Sequence, residues 1–342
     1  MIPFSILDLA FIVQGAKPAD ALHHARDLAQ HAEKWGYNRF WLAEHHNMPG
    51  IASAATSVAI GYVAEGTKTI RVGSGGIMLP NHAPMTIAEQ FGTLEALYPG
   101  RIDLGLGRAP GTDQRTLRAL RRDPATADNF PQDVLELQAF LGEVQPGQTL
   151  QAVPGGGSNV PLWILGSSLF GAQLAAMLGL PYAFASHFAP DALYQALEVY
   201  RERFEASEQL SKPHAMVGAN VTVAETDEEA RYLFTSAQQQ FANLFRGARS
   251  QLQPPIDDIE SYWSPSEKAQ ASRMLTCAFV GSPETVKRGL SAFIRETAAD
   301  EIMVTAPIYD HAKRLRSYEL LAEIRDSLAA EAGQQDRATR TA

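Results

Sequence analysis

Apolar runs of strand length recur along the chain, and amphipathic helical patterns separate them. The runs lie at residues 5–12, 39–43, 70–79, 102–107, 161–165, 182–186, 215–224 and 301–308. Most are nearly uniformly apolar, which is typical of parallel strands that are buried on both faces. Apolar residues at helical spacing follow the runs, as Leu22, Ala25 and Ala29 do in the helix predicted at residues 18–35. Strands that alternate with helices in this number predict a (β/α)8 TIM barrel with insertions.

A doubly wound open sheet is the alternative arrangement of the same elements. Its usual glycine fingerprint is missing, because Gly105 and Gly107 are followed by Gly111 and not by a glycine at position 110. The chain also lacks a Walker-type phosphate-binding loop. We therefore prefer the closed barrel.

The stretch 71–113 contains the clearest strand-helix-strand unit. Pro80 breaks its first strand, and Pro99 ends the helix that follows. Polar and small residues gather where the two strands end, at Ser74-Gly75-Gly76 and at Arg108. In parallel α/β folds this end of the strands carries the chemistry, so we expect a functional site here.

Three groups of residues at predicted strand ends suit a flat, phosphorylated ligand. Gly75 and Gly76 lack a Cβ, so a flat ligand could approach them, although close packing explains glycines equally well. Arg108 offers a planar cation for a phosphate, or a partner for a carboxylate. Gly166-Ser167-Ser168 precedes a predicted helix, where hydroxyl and backbone N–H groups bind a phosphate or simply cap the helix.

The composition of the chain limits the binding partners and the cellular compartment that we expect. The 342 residues are 45% apolar and 20% charged, as in an ordinary globular protein. A net charge of −9 argues against nucleic acid and anionic membranes as partners. The single cysteine, Cys277, excludes an internal disulfide, and the apolar start of the chain lacks the features of a signal peptide. We expect a soluble cytoplasmic protein without a membrane-spanning segment.

We expect a single barrel domain at residues 1–332 and a disordered tail at residues 333–342. Residues 246–272 interrupt the alternation of strands and helices. A connection of this length predicts a mobile lid over the strand ends. A short apolar piece at residues 278–281 follows it.

Three long motifs resemble those of the bacterial luciferase-like flavin-dependent monooxygenases. They are FWLAEHHNMPG from Phe40, VGSGGIMLPNHAP from Val72 and PGRIDLGLGRAPGTD from Pro99. They occur in the family's order and spacing, and a looser match extends over nearly the whole chain. The resemblance implies a barrel that binds FMN in its reduced form, with a deazaflavin as the alternative cofactor.

The resemblance also implies roles for individual residues. Arg108 and Ser167 correspond to ligands of the flavin phosphate. The strand end Ser74-Gly75-Gly76 would lie beneath the isoalloxazine ring and contain a cis peptide bond, expected between Gly75 and Gly76. His45 aligns with the family's catalytic histidine, which suits proton transfer near neutral pH.

The match to luciferase itself is incomplete at two positions. Gly166 stands where luciferase has an acidic residue, and Gly107 replaces the luciferase cysteine beside the flavin. His82 and His187 are weaker catalytic candidates, because simple polar packing explains them equally well.

The chemistry implied by the resemblance needs two components. A separate NAD(P)H-dependent flavin reductase would supply reduced FMN, and this chain would use it with O2 to oxygenate a small apolar organic substrate such as an aldehyde. The family is usually dimeric, and the helices that flank the stretch 71–113 carry apolar residues suited to an interface. We therefore expect a homodimer.

Three other functions stay open at this point. The chain could be a deazaflavin-dependent oxidoreductase, or it could bind flavin without turnover. It could also be a barrel metallohydrolase in which His45, His46, His187 and nearby carboxylates bind zinc. Against zinc, the first strand has no His-x-His pair, and adjacent histidines of a strand point to opposite faces.

Overall fold

The computed structural model describes the backbone of residues 2–109 and 113–340, and side chains there except at residue 124 and residues 332–340. The strands in these ranges are β1 (Phe4–Asp8), β2 (Arg39–Leu42), β3 (Arg71–Met78), β4 (Ile102–Gly107), β5 (Leu162–Gly166), β6 (Tyr182–Phe184), β7 (Ala215–Val223), β8 (Ala278–Gly281) and β9 (Glu301–Thr305). The helices are α1 (Pro18–Lys34), α2 (Thr56–Glu65), α3 (Pro84–Leu97), α4 (Gln114–Ala119), α5 (Phe130–Leu141), α6 (Leu169–Met177), α7 (Leu193–Glu202), α8 (Asp227–Phe245), α9 (Pro265–Met274), α10 (Pro283–Thr297) and α11 (His311–Arg340). Short 3-10 helices lie at Leu79–Asn81 and Pro124–Asn129.

All strands except β8 form a closed parallel barrel, which confirms the predicted (β/α)8 fold. Strands β1 to β6 pair in chain order, β9 pairs with β1 and β7, and pairing of β6 with β7 closes the ring. Because these pairings are all parallel, the carboxyl ends of the ring strands share one rim. The short apolar piece at residues 278–281 forms β8, which pairs with residues 220–223 of β7 outside the ring.

The apolar side chains of the ring strands pack into separate outer and inner clusters, because each strand has an outer and an inner face. The outer faces pack against the helices, where Leu28 of α1 and Phe91 of α3 are fully buried. A smaller cluster fills the inside of the barrel. It contains Leu7, Trp41, Ala43, Trp163, Ala183, Met216 and Met303.

Several boundaries differ from those that the apolar pattern predicts. β1 ends at Asp8, before the apolar run does, and Ala10 just beyond it takes a left-handed conformation with φ of 48°. β9 ends at Thr305, although the apolar run continues to residue 308. The tail predicted to be disordered from residue 333 has helical backbone up to Arg340, in a sequence rich in helix-forming residues. Residues 341–342 lie outside the described residues.

None of the described helices combines the length and the apolar character that crossing a lipid bilayer requires.

A network of buried charges holds the amino-terminal end of the barrel. Arg39, at the start of β2, lies 2.8 Å from Asp103 of β4 through Nη1 and 2.9 Å from Glu301 of β9 through Nε. Arg71 of β3 lies 2.6 Å from the other oxygen of Asp103. Burial alone would raise the pKa of Glu301, but the hydrogen bond from His214 and the charge of Arg39 lower it to about 2. The network therefore joins four strands through paired charges.

We predict that Arg39→Met destabilises the protein strongly. The variant would leave Asp103 and Glu301 buried without the cation that they share, at a cost of about 3 kcal/mol in the free energy of unfolding. Urea denaturation followed by circular dichroism measures this loss. Arg273→Met is the matched control, because Arg273 pairs with Asp191 on the surface and solvent screens that pair. Equal losses in the two variants would contradict the structural role of the network.

Candidate functional site

A cavity of about 460 Å³ opens at the carboxyl-terminal rim of the barrel. Its floor is the apolar cluster inside the barrel, and its wall continues into the loops that follow the strands. All of the predicted site residues except Ser74 line it, namely His45, Gly75, Gly76, Arg108, Gly166, Ser167 and Ser168. Segments far apart in the sequence therefore meet at one site. That these residues bind a cofactor stays a prediction.

Ser74 is the exception, and its hydroxyl has another use. The hydroxyl donates a hydrogen bond to the carbonyl oxygen of Gly105 at 2.9 Å and accepts one from the Gly105 N–H at 3.0 Å. Ser74 is fully buried between β3 and β4. The structure therefore assigns it to strand pairing and gives no support to its predicted contact with a cofactor.

Gly75 and Gly76 lie in the wall of the cavity, and close packing accounts for the lack of side chains. A Cβ at Gly75 would lie 2.8 Å from Cδ1 of Leu7, and one at Gly76 would lie 2.7 Å from the carbonyl oxygen of Gly105. Close packing is therefore enough to explain the two glycines, and their predicted contact with a cofactor stays a prediction. The peptide bond between them is cis, as the resemblance implied.

Arg108 is held beside the start of helix α6. Its guanidinium lies 4.1 Å from the centre of the Phe170 ring, which fixes the cation near the first turn of the helix. Ser168 is the N-cap of α6, but its side chain makes no capping hydrogen bond, so plain capping does not account for this serine. Tyr182 holds the backbone there by donating a hydrogen bond to the Ser168 carbonyl oxygen at 3.2 Å. A cation, two serines and a helix N-terminus at one place suit a phosphate group.

The Glu44-His45-His46 sequence after β2 splits between two environments. His45 lines the cavity, whereas His46 donates to Glu44 through Nε2 at 2.7 Å. His82 lies 3.0 Å from Glu44, and the N–H of Met78 donates to the same carboxylate at 2.9 Å. Burial would raise the pKa of Glu44, but the hydrogen bonds from His46 and His82 lower it to about 2. Glu44 thus ties the segment that carries His45 to the end of β3.

The zinc site considered from the sequence does not form. Among the described residues, the group that could hold a metal is Glu44, His46 and His82, whose ligand atoms lie within 4.8 Å of one another. His45 and His187 line the cavity and are absent from that group, whereas His46 contacts Glu44. His45, His46 and His187 therefore do not form one metal site. His82, a weaker catalytic candidate, serves as a partner of Glu44.

His187, the other weaker candidate, lines the cavity after β6. Burial, together with the charge of His45, lowers the pKa of His187 to about 4, so its imidazole is neutral at physiological pH. Two cavity residues that the sequence analysis missed, Asn220 and Thr305, lie next to each other on β7 and β9. Their signal was visible, because both are polar residues in mostly apolar strands.

The segment predicted as a lid, residues 246–272, extends across one side of the cavity mouth. Arg249 lines the cavity, pairs with Asp113 at 3.0 Å and donates to the carbonyl oxygen of Asn47 at 3.1 Å. The N–H of Leu252 donates to the carbonyl oxygen of Ile12 at 3.0 Å. The segment therefore covers the rim through contacts with loops after several strands. Its movement as a lid stays a prediction.

A closed barrel with a lined cavity at its strand ends is the architecture of a (β/α)8-barrel enzyme. The family model described as luciferase-like monooxygenase matches residues 2–301. The chain belongs to the luciferase-like monooxygenase family, and this confirms the resemblance of its motifs.

Two relatives match over nearly the whole chain. A luciferase-like monooxygenase of Escherichia coli (strain K12) is 56% identical over 328 residues, which are 96% of this chain and 98% of that protein. An N-acetyl-S-alkylcysteine monooxygenase of Bacillus subtilis (strain 168) is 32% identical over 335 residues, which are 94% of this chain and 98% of that protein.

Solved structures share the fold. The crystal structure of apo-MsnO8 matches with a TM-score of 0.88 and 36% identity over 95% of this chain and 99% of that chain. The oxygenating constituent of 3,6-diketocamphane monooxygenase from Pseudomonas putida, in complex with FMN, matches with a TM-score of 0.71 and 19% identity over 94% and 96% of the two chains. An F420-dependent secondary alcohol dehydrogenase matches with a TM-score of 0.68 and 16% identity over 93% and 97%.

We predict that Glu44→Gln destabilises the protein in a pH-dependent way. Because the folded-state pKa of Glu44 is lowered to about 2, its contribution is fully present above the unfolded pKa of about 4.3 and is lost as the pH falls towards 2. The variant should therefore lose roughly 1–3 kcal/mol of unfolding free energy at pH 7 and clearly less at pH 3.

Urea denaturation at the two pH values measures the effect, and Glu136→Gln, at an exposed position of α5, is the control. A loss of the same size at both pH values would show that the charge of Glu44 is not what stabilises the end of β3.

Proposed function

We propose that this protein is a flavin-dependent monooxygenase that uses reduced FMN and O2 to oxygenate a small apolar organic substrate. The observation that carries the proposal is the single cavity that joins Arg108, Ser167 and Ser168 on one side to His45 and the Gly75-Gly76 wall on another. The family membership and the FMN complex of a structural relative support it.

The polar and apolar groups of the cavity suit the chemistry of FMN. Arg108 and the two serines, with the N-terminus of α6, would hold the phosphate. The wall at Gly75 and Gly76 would face the ring system. When bound and reduced, FMN supplies the chemistry that activates O2.

The chain's own groups would perform the remaining tasks. An imidazole nitrogen of His45 would hold or transfer a proton at the reacting end of the cavity. The apolar side chains of the barrel interior, such as Trp41, Met216 and Met303, would exclude water from the reacting atoms and accommodate an apolar substrate. The Bacillus subtilis relative is named for a substrate with an alkyl group, which is compatible with such a floor.

The proposal also includes a partner protein and a cellular location. A separate NAD(P)H flavin reductase would supply the reduced FMN, because the reduction of FMN needs an external electron donor. We propose a cytoplasmic location, because the single cysteine of the chain suits a reducing compartment.

A flavin titration tests the proposal. We expect reduced FMN to bind the purified protein, and we expect O2 consumption when a flavin reductase, NAD(P)H and a panel of aldehydes are added. Arg108→Ala should weaken reduced FMN binding by about 10-fold or more, because a charge-assisted hydrogen bond to the phosphate is lost.

Arg203→Ala, which removes an exposed arginine outside the cavity, is the matched control. Preferential binding of the deazaflavin F420, which the alcohol dehydrogenase relative uses, would replace FMN in the proposal. Unchanged affinity in Arg108→Ala would remove Arg108 from the phosphate site.

We also propose a homodimer that forms through α2 and α3. Val58 of α2 and Leu97 of α3 are 73% and 64% exposed, which is costly for apolar side chains that stay in water. Light scattering at micromolar concentration should give the mass of a dimer for the wild type and that of a monomer for Val58→Asp combined with Leu97→Asp. Leu150→Asp, at an exposed apolar position outside these helices, should leave the dimer intact. A monomeric wild type would refute the proposal.

A further inference from the structure

Three polar residues form a patch in the apolar lower wall of the cavity, and the proposed reaction gives them no role. This polar patch consists of His187 after β6, Asn220 of β7 and Thr305 of β9. Asn220 and Thr305 are paired in register on neighbouring strands. The side-chain amide of Asn220 also donates a hydrogen bond to the carbonyl oxygen of His187. The patch is therefore one connected unit that three strands position.

The geometry fixes the imidazole of His187 inside the barrel. A Cβ at Gly218 would lie 2.3 Å from Nδ1 of His187, so the imidazole occupies the space that a side chain at position 218 would fill. The ring of Phe188 packs edge-on against it, with ring centres 4.9 Å apart. An imidazole held in this way cannot turn away from the cavity without losing that packing.

Two polar atoms of the patch are buried without a partner among the described residues. They are Oγ1 of Thr305, a residue that is only 5% exposed, and Nδ1 of His187. Burial of polar atoms without hydrogen bonds destabilises a protein, so such atoms in a cavity wall are typical of binding groups. Met216 and Met303 also line the cavity. The polar patch therefore lies in an otherwise apolar part of the cavity wall.

The patch carries no charge that would attract an anion. His187 is neutral at physiological pH because burial and the nearby His45 lower its pKa to about 4. Among the described cavity residues, Arg108 lies beside α6, and Arg249 is paired with Asp113 at the mouth. A ligand group that contacts the patch therefore meets hydrogen-bonding dipoles and no free cation.

We propose that the polar patch binds the neutral oxygen-containing group of the organic substrate, a carbonyl or an amide, and that His187 and Thr305 determine this specificity. Because Nδ1 lies against Gly218, the imidazole would donate a hydrogen bond to that oxygen through Nε2, and the Thr305 hydroxyl would donate another. The apolar body of the substrate would lie along the methionine-lined floor. The inference rests on the proposed function only for the reaction that follows binding.

Isothermal titration calorimetry with two probes of equal chain length tests this inference. Octan-2-one carries a neutral carbonyl, and octanoate carries a charged carboxylate. We expect the wild type to bind octan-2-one more tightly than octanoate. His187→Phe, which keeps a ring without nitrogen atoms, and the nearly isosteric Thr305→Val should each weaken octan-2-one binding by about 10-fold.

Thr222→Val is the matched control, because Thr222 is a buried threonine of β7 that does not line the cavity, and it should bind octan-2-one as the wild type does. Three results would each overturn the inference. They are no binding of octan-2-one, tighter binding of octanoate than of octan-2-one, and unchanged octan-2-one affinity in both cavity variants. If a variant fails to fold, the comparison of octan-2-one and octanoate binding to the wild type still tests the inference.

Failure of this inference can be distinguished from failure of the proposed function. Octan-2-one preference without any flavin binding would refute the monooxygenase proposal and keep the polar patch. Flavin binding without octan-2-one preference would refute only the patch.

Discussion

Closure of the parallel barrel is the constraint on which the rest of the structure depends. The pairing of β6 with β7 joins the two ends of the sheet, and because the ring strands are parallel, their carboxyl ends must share one rim. This closure brings His45, Arg108 and Ser167 to a single cavity, although more than a hundred residues separate the first from the last. In an open sheet, the same residues would lie along an edge and enclose nothing.

The two ends of the barrel use polar groups in opposite ways. At the amino-terminal end, Arg39 pairs with both Asp103 and Glu301 and so joins neighbouring strands. At the carboxyl-terminal end, Glu44 is fully engaged, but its neighbour His45 faces the cavity. The amino-terminal end thus carries a network of paired charges, and the carboxyl-terminal end carries the candidate site, which is its usual place in this fold.

The sequence predicted the barrel because buried parallel strands are uniformly apolar, and this pattern depends little on distant contacts. It also placed most of the candidate site, because strand ends can be located from the same pattern. The cis bond between Gly75 and Gly76 came from the resemblance alone, since no local property of two glycines indicates it.

Contacts between distant segments could not be predicted. The use of the Ser74 hydroxyl by Gly105 depends on the register of β3 and β4, and the partnership of Glu44 with His82 depends on how two loops meet. The tail was predicted to be disordered because chain ends commonly are, but its backbone is helical up to Arg340, in a sequence rich in helix-forming residues.

A crystal structure of the protein in complex with FMN would show where the phosphate and the ring lie. We expect the phosphate within hydrogen-bonding distance of Arg108 and Ser167, and the ring against the wall formed by Gly75 and Gly76 with His45 at its edge. A phosphate bound away from Arg108 and Ser167, or a ring outside this cavity, would contradict this expectation.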